Sequence, residues 1–180
     1  MSTRSAVPWA VLGVILLATT SAIGGIEAGK TEVNGAGLLA FQLGEGSDAS
    51  QYGLSMEMNH YVSDYFAVGA RFGLSGSSIG DTDMMVLALY PQLTTCAPAS
   101  ETVSPYFGVG VGFQYAKVTY EGWGGQQTND ETEPGLLVYL GAKAFLSPDV
   151  AVSFETRYEA LFEYMDSGVI GEYIGFSYFF

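Results

Sequence analysis

Only six of the 180 residues are lysine or arginine, one is cysteine and one is histidine. Proteins that neutralise nucleic-acid phosphates carry a basic stripe. Six cations against 19 acidic residues, a net charge of -13, cannot supply one, so no nucleic-acid partner is expected. A single Cys96 excludes an internal disulfide, and with His60 as the only histidine there is no Cys/His set for zinc. No cofactor is expected. Beyond the amino-terminal segment the chain has no long hydrophobic run, which excludes a bundle of membrane helices, because each needs roughly 20 consecutive apolar residues. Charge of either sign is sparse, at 14% of residues against about 25% in ordinary globular domains.

What the chain has instead is 48% hydrophobic residues, 14% aromatics, 24 glycines and a mean hydropathy of +0.24. A water-soluble fold needs charge to solvate its exterior, so this composition points to a surface wetted by lipid. With no helical span available, the remaining structure that satisfies its backbone hydrogen bonds inside a bilayer is a closed β-barrel.

The first residues read as a targeting segment. A short basic start with Arg4, an apolar run from Trp9 to Ala18 and a small-x-Ala ending at Ala22 are the parts of a secretory signal peptide. Cleavage fits after Ala22 or after Ala28, which leaves a barrel domain over 23–180. The apolar run is about half the length of a bilayer span, which disfavours a retained anchor. No cysteine follows it, which excludes a lipoprotein signal.

Period-two alternation marks eight segments: 32–44, 50–62, 65–76, 84–94, 105–121, 135–146, 150–162 and 169–180. In 150–162, Val150, Val152, Phe154, Tyr158 and Phe162 oppose Ala151, Ser153, Glu155, Arg157 and Glu159. In 65–76, Phe66, Val68 and Phe72 oppose Ala67, Gly69, Arg71 and Gly73. Either face of 32–44 could be the apolar one. Ser63-Asp64 and Ser147-Pro148-Asp149 read as tight turns, and 45–49, 77–83, 122–134 and 163–168 as longer loops. The connection 95–104 carries Cys96 and Pro98 and falls on the rim of the tight turns. This pattern predicts an all-β fold: a monomeric, eight-stranded, antiparallel up-and-down transmembrane barrel with its short turns periplasmic.

A soluble barrel would show water a charged face. Here the non-aromatic face is rich in Gly53, Gly69, Gly73, Gly108, Gly110, Gly112, Gly141, Gly171 and Gly175, which suits the crowded interior of eight strands and makes a poor solvent surface.

With these features the sequence resembles the small outer-membrane β-barrel proteins of Gram-negative envelopes, the porin-like family that includes the opacity proteins and the membrane domain of OmpA. The most specific likeness is the final strand, with Phe176, Tyr178 and Phe180 at alternate positions and an aromatic end; it is similar to the signal that the barrel-insertion machinery reads. Ser104–Phe113 resembles the family's glycine-rich central strand, and Leu146–Tyr158 its turn into the seventh strand. The resemblance implies an integral multi-pass protein of the outer membrane, in contact with lipid and lipopolysaccharide. Unlike the larger OmpA-type proteins, the chain is expected to carry no peptidoglycan-binding domain.

Six charged residues fall on the inner face: Glu57, Arg71, Lys143, Glu155, Arg157 and Glu159. Buried charges are costly unless paired, so they form either a salt-bridge network that fills the lumen or a gate in which Arg71 or Arg157 exchanges carboxylate partners. Catalysis of the lipid A hydrolase type needs a Ser, a His base and an orienting acid within reach. The only candidates are Ser63, His60 and Asp64, clustered at a turn without the expected spacing, so the protein is not expected to be an enzyme. Loop acids Glu45, Asp48, Asp81, Asp83, Glu121, Asp130, Glu131, Glu133, Glu163 and Asp166 are either simply solvated or hold divalent cations that bridge to lipopolysaccharide. Trp123 tops the longest expected loop. The expected role is structural or interfacial at the cell surface. The alternatives are an OmpW-like conduit for small apolar molecules, which requires an unfilled upper lumen and a lateral opening, and a lipid A-modifying enzyme.

Overall fold

A computed structural model describes residues 26–42, 49–97, 102–122, 125–162 and 168–180. Most of the expected signal segment, as well as Glu45, Asp48, Trp123, Glu163 and Asp166, lies outside the described residues. Eight strands follow one another: β1 (Thr31–Gln42), β2 (Ala49–Ser63), β3 (Phe66–Ile79), β4 (Thr82–Cys96), β5 (Val103–Gly122), β6 (Gly125–Ser147), β7 (Val150–Leu161) and β8 (Val169–Phe179). Each pairs antiparallel with the next, and β1 pairs with β8 from Glu32 opposite Phe179 to Gly37 opposite Ile174, which closes the barrel. Closure leaves no open edge through the membrane-spanning wall, the condition for a sheet in hydrocarbon.

The alternation in the sequence becomes two surfaces. The outer one is apolar: Met56, Phe113, Phe176 and Phe180 are each 64% exposed, and Leu54, Phe72, Leu89, Leu93 and Ile174 stand beside them on the same wall. A band of this kind around a whole molecule is untenable in water and is the lipid-facing belt of a membrane barrel. The inner surface buries polar, small and aromatic side chains, with Arg71, Tyr61, Tyr90, Tyr139 and Lys143 among the largest. In β1 the inward residues are Glu32, Asn34 and Ala36, which resolves the segment whose apolar face alternation leaves open.

Glycines make room for the inner tyrosines. Tyr106 lies opposite Gly141 and Tyr139 opposite Gly108 across the β5–β6 pair. A Cβ on Gly141 would meet the Tyr106 ring carbon Cζ at 2.7 Å, and one on Gly108 would collide with the Tyr139 ring. The two rings pack against each other with centroids 6.2 Å apart.

Two of the expected loops are corrected by the structure. Residues 77–83 are strand except for a two-residue turn at Gly80-Asp81, where Gly80 takes φ +57°, and of 122–134 the described residues, Gly122 and 125–134, are all strand, with Gly125 at φ +100°. Asp130, Glu131 and Glu133 thus belong to β6 and not to a loop. The reason is physical: a hairpin above the bilayer is held by its backbone ladder and meets water on both faces, so its side chains need not alternate. Cys96 ends β4 and is buried in the lumen, instead of lying in the following connection. The turn after β2 is Asp64-Tyr65, one residue later than expected, with a bulge between Tyr61 and Ser63.

Loop length therefore does not distinguish the two rims; strand length does. β5 and β6 run 20 and 23 residues, against 11 to 15 for the other strands. β6 begins pairing with β7 only at Gly135 opposite Leu161. The preceding stretch pairs with β5 alone among the described residues, and β5 is flanked by β4 as far as Tyr120 opposite Thr82. At about 3.3 Å per residue, Gly125 to Thr132 projects roughly 25 Å along the strand.

Candidate functional site

The lumen is filled in tiers. At the end where β1 begins and β8 finishes, Phe179 packs against Tyr61 and Phe145, with ring centroids 6.1 and 5.4 Å away. Directly above, Lys143 Nζ donates to Glu32 Oε2 at 2.6 Å and to the Tyr61 hydroxyl at 3.2 Å, while Tyr61 donates to Glu32 at 2.7 Å. The Lys143 ammonium also sits 4.5 Å from the Tyr106 ring centre. Alongside, Asn34 Nδ2 donates to Ser153 at 2.9 Å and to Ser177 at 2.7 Å, which ties β1 to β7 and β8.

The middle tier is organised by Arg71 on β3. Its Nη1 and Nη2 donate to the two oxygens of Glu155 at 2.8 and 3.0 Å, a fork-to-fork pair across the lumen. Its Nε donates to Glu57 on neighbouring β2 at 3.0 Å, and Nη2 contacts the same carboxylate. The guanidinium lies 4.2 Å from the Tyr139 ring centre, and Tyr139 shares a 2.6 Å hydrogen bond with Thr94. Asn59 donates to Glu57, and Gln92 Nε2 donates to Asn59 Oδ1 at 3.0 Å. Arg157 Nε donates to Glu155, and its guanidinium stacks 3.6 Å from the Tyr173 ring centre.

Glu57, Arg71, Glu155 and Arg157 thus form one continuous chain. Lys143 stands apart, bound to Glu32, and Glu159 makes no hydrogen bond or close ion pair among the described residues. Glu32, Tyr61, Asn59, Gln92 and Tyr139 complete the network and were not singled out by the sequence. The requirement that a buried ammonium have a counter-charge at its own depth is the signal that would have pointed Lys143 to Glu32.

Phe176, Tyr178 and Phe180 all face outward on the terminal strand, and Phe179 between them faces in. The Phe180 amide is bonded to the Thr31 carbonyl at 2.9 Å, which locks the last residues to β1. His60 is exposed on the outer wall beside Thr31 Oγ1, 3.2 Å away. Ser63 Oγ accepts from the Tyr65 amide, and Asp64 Oδ1 from the Ala28 amide at 2.9 Å. The three polar groups near this turn are not brought together. Nor do three carboxylates or other metal-binding side chains converge anywhere among the described residues.

Above Arg157 the lumen widens into a vestibule of about 180 Å³, lined by Gln51, Ser75, Gln114, Glu159 and Tyr173 among others. A narrow extension of about 20 Å³ reaches down to Arg71 and Tyr90 and ends there.

No curated protein sequence matches the chain. Among solved structures, the attachment invasion locus protein Ail of Yersinia pestis superposes with a TM-score of 0.59 at 16% identity, covering 85% of this chain and 99% of Ail. OprG of Pseudomonas aeruginosa gives 0.57 at 15% identity, covering 89% and 99%. The amino-terminal barrel of OprF from the same organism gives 0.52 at 15%, covering 85% and 98%. At these identities the likeness concerns the fold. Residues 10–180 match the family described as the outer membrane protein beta-barrel domain. With a closed eight-stranded wall, an apolar belt and that match over nearly its whole length, the chain belongs to the outer membrane protein beta-barrel family and is an integral protein of the outer membrane.

Proposed function

We propose that this barrel is a non-catalytic cell-surface interaction protein whose lumen is a structural filling and whose working part is the projecting β5–β6 hairpin. The observation that carries the reading is the outer edge of Gly125 to Thr132, which pairs with β5 on one side and with no described strand on the other. Natural sheets normally blunt such an edge with lysine, proline or a covering segment. This stretch has neither lysine nor proline, and it is a template for strand addition by an extended segment of a partner. Ail has been solved in complex with the heparin analogue sucrose octasulfate. Asp130 and Glu131 argue against a polyanion here, because Lys117, opposite Asp130, is the one cation on the ladder from Val118 opposite Asn129 to Ala116 opposite Glu131 and its two neighbours. The matching partner is a basic extended peptide.

In this reading the hairpin rim faces outward, the barrel is a monomer, and the outward aromatics Phe176, Tyr178 and Phe180 address the insertion machinery. Lipopolysaccharide phosphates repel the rim carboxylates, so contact with them would run through divalent cations. One feature favours a conduit instead. The β4–β5 ladder is interrupted at Tyr90-Pro91, leaving an outer groove of about 420 Å³ lined by Val68, Leu93, Val109 and Val111. Behind it, however, Tyr90 and Gln92 are buried in a filled lumen.

The test is binding of alternating Lys-Thr peptides to the full chain in lipid nanodiscs. Binding is expected to be lost when residues 119–128 are deleted, and lost again with a backbone N-methylated peptide, which cannot extend a sheet. Equal binding after the deletion, or preferential binding of sucrose octasulfate, would rule the reading out.

A further inference from the structure

We propose that the vestibule above Arg157 is a binding site for a small organic ammonium ion, with Glu159 as its counter-charge. The inference is independent of the hairpin and its partner. It starts from charge balance in a confined space. The cations facing the lumen are Arg71, Arg157 and Lys143, and the carboxylates that meet them are Glu32, Glu57, Glu155 and Glu159. Among the described residues these three cations face these four carboxylates. Lys143 is taken by Glu32, and both arginines are taken by Glu57 and Glu155. Glu159 is left over, near Arg157 and Arg71 but hydrogen-bonded to neither. Glu133, on the inward-facing side of β6 nearby, is a carboxylate as well and cannot supply the missing positive charge.

The leftover carboxylate lines the vestibule. A cavity of about 150 Å³ holds benzene, and the vestibule, at about 180 Å³, admits a molecule slightly larger. Its walls divide by chemistry. Met84, Val86 and Val169 offer apolar surface, while Gln51, Ser75 and Ser77 offer oxygens that accept hydrogen bonds. Gln114 uses its amide nitrogen on the Tyr90 hydroxyl, which leaves its own oxygen to accept. A single carboxylate beside apolar walls is a poor site for Ca²⁺ or Mg²⁺, which take six or more oxygen ligands at close range. It suits an ion with one positive, hydrogen-donating end and a short hydrocarbon body, which is a primary ammonium. The approach is open: a second hollow of about 280 Å³ shares Tyr52, Ser77 and Met84 with the vestibule and reaches Asp83 near the Gly80-Asp81 turn.

The experiment is titration of benzylammonium onto the full chain folded in detergent, followed by calorimetry, with benzoate and Ca²⁺ as comparison ligands. Saturable binding of benzylammonium, none of benzoate, and at least tenfold weaker binding by Glu159→Gln are expected. Retention of the heat-sensitive gel shift shows that this variant is folded. Should it fail to fold, Met84→Trp narrows the vestibule without touching its charged floor and is expected to abolish binding. The proposal is overturned if wild type does not bind benzylammonium, in which case Glu159 carries its own proton, or if Ca²⁺ saturates the site in preference to the amine. Unchanged affinity in Glu159→Gln or Met84→Trp overturns it equally.

Discussion

Arg71 is the residue on which the lumen turns, because one guanidinium serves two carboxylates on strands that are not neighbours, β2 and β7. Removing one partner of a buried ion pair typically costs about 3–5 kcal/mol, whereas replacing the whole set with neutral groups is far less harmful. Arg71→Met is therefore expected to lower stability by about 3–5 kcal/mol in urea unfolding of the detergent-folded protein. Adding Glu57→Gln to the same chain, which leaves Glu155 paired with Arg157, is expected to recover more than half of that loss. A double variant as unstable as the single one would show that the arginine acts by packing against Tyr139 and not by charge. The four charged residues of this chain were legible in the sequence because they share the parity of the glycine face. Glu32 was not, since both faces of its strand are about equally apolar, and Tyr61 and Tyr139 were not, because an aromatic on the inner face contradicts a rule that sends aromatics to lipid. Space left by Gly108 is what admits Tyr139, as Gly141 admits Tyr106.

At the scale of the element, β5 and β6 are the pair in which sequence and structure part company. Their lower halves alternate clearly, and the Tyr106–Gly141 and Tyr139–Gly108 pairs sit there. A side chain in place of either glycine forces a buried ring out of position, and overpacking of this kind costs about 1–3 kcal/mol. Gly141→Val is expected to fall in that range by urea titration, whereas Gln126→Val, exposed near the start of β6, is expected to change stability little. The upper halves were legible only as polar sequence. Nothing in Gln126-Gln127-Thr128-Asn129-Asp130 states that it is strand, since the order comes from a backbone ladder against Lys117–Glu121 and not from burial.

For the whole molecule, an apolar exterior and a filled interior determine what passes through. Below the vestibule the lumen is stopped by Arg71, Tyr90 and Arg157, and below these by Tyr61, Phe145 and Phe179. Planar-bilayer recordings of the folded protein are expected to show no steady conductance of the size of a water-filled porin. The unboiled protein is expected to run as a compact band on a gel and to shift on heating; a single band unaffected by heat would contradict the barrel. The sequence by itself determined the architecture, because low charge, the lack of a helical span and period-two alternation admit one structure that satisfies its backbone in lipid. It also put Glu57, Arg71, Lys143, Glu155 and Arg157 on the inner face, since parity along a strand assigns the face where one face is clearly apolar, as it is not in the strand of Glu32. Tertiary structure alone decided which charge meets which, how far β5 and β6 extend past the start of β7 pairing and that Glu159 makes no hydrogen bond or close ion pair among the described residues. Those outcomes depend on the register between strands and on the closure of β1 onto β8, and a pattern within one strand carries no information about its depth relative to another.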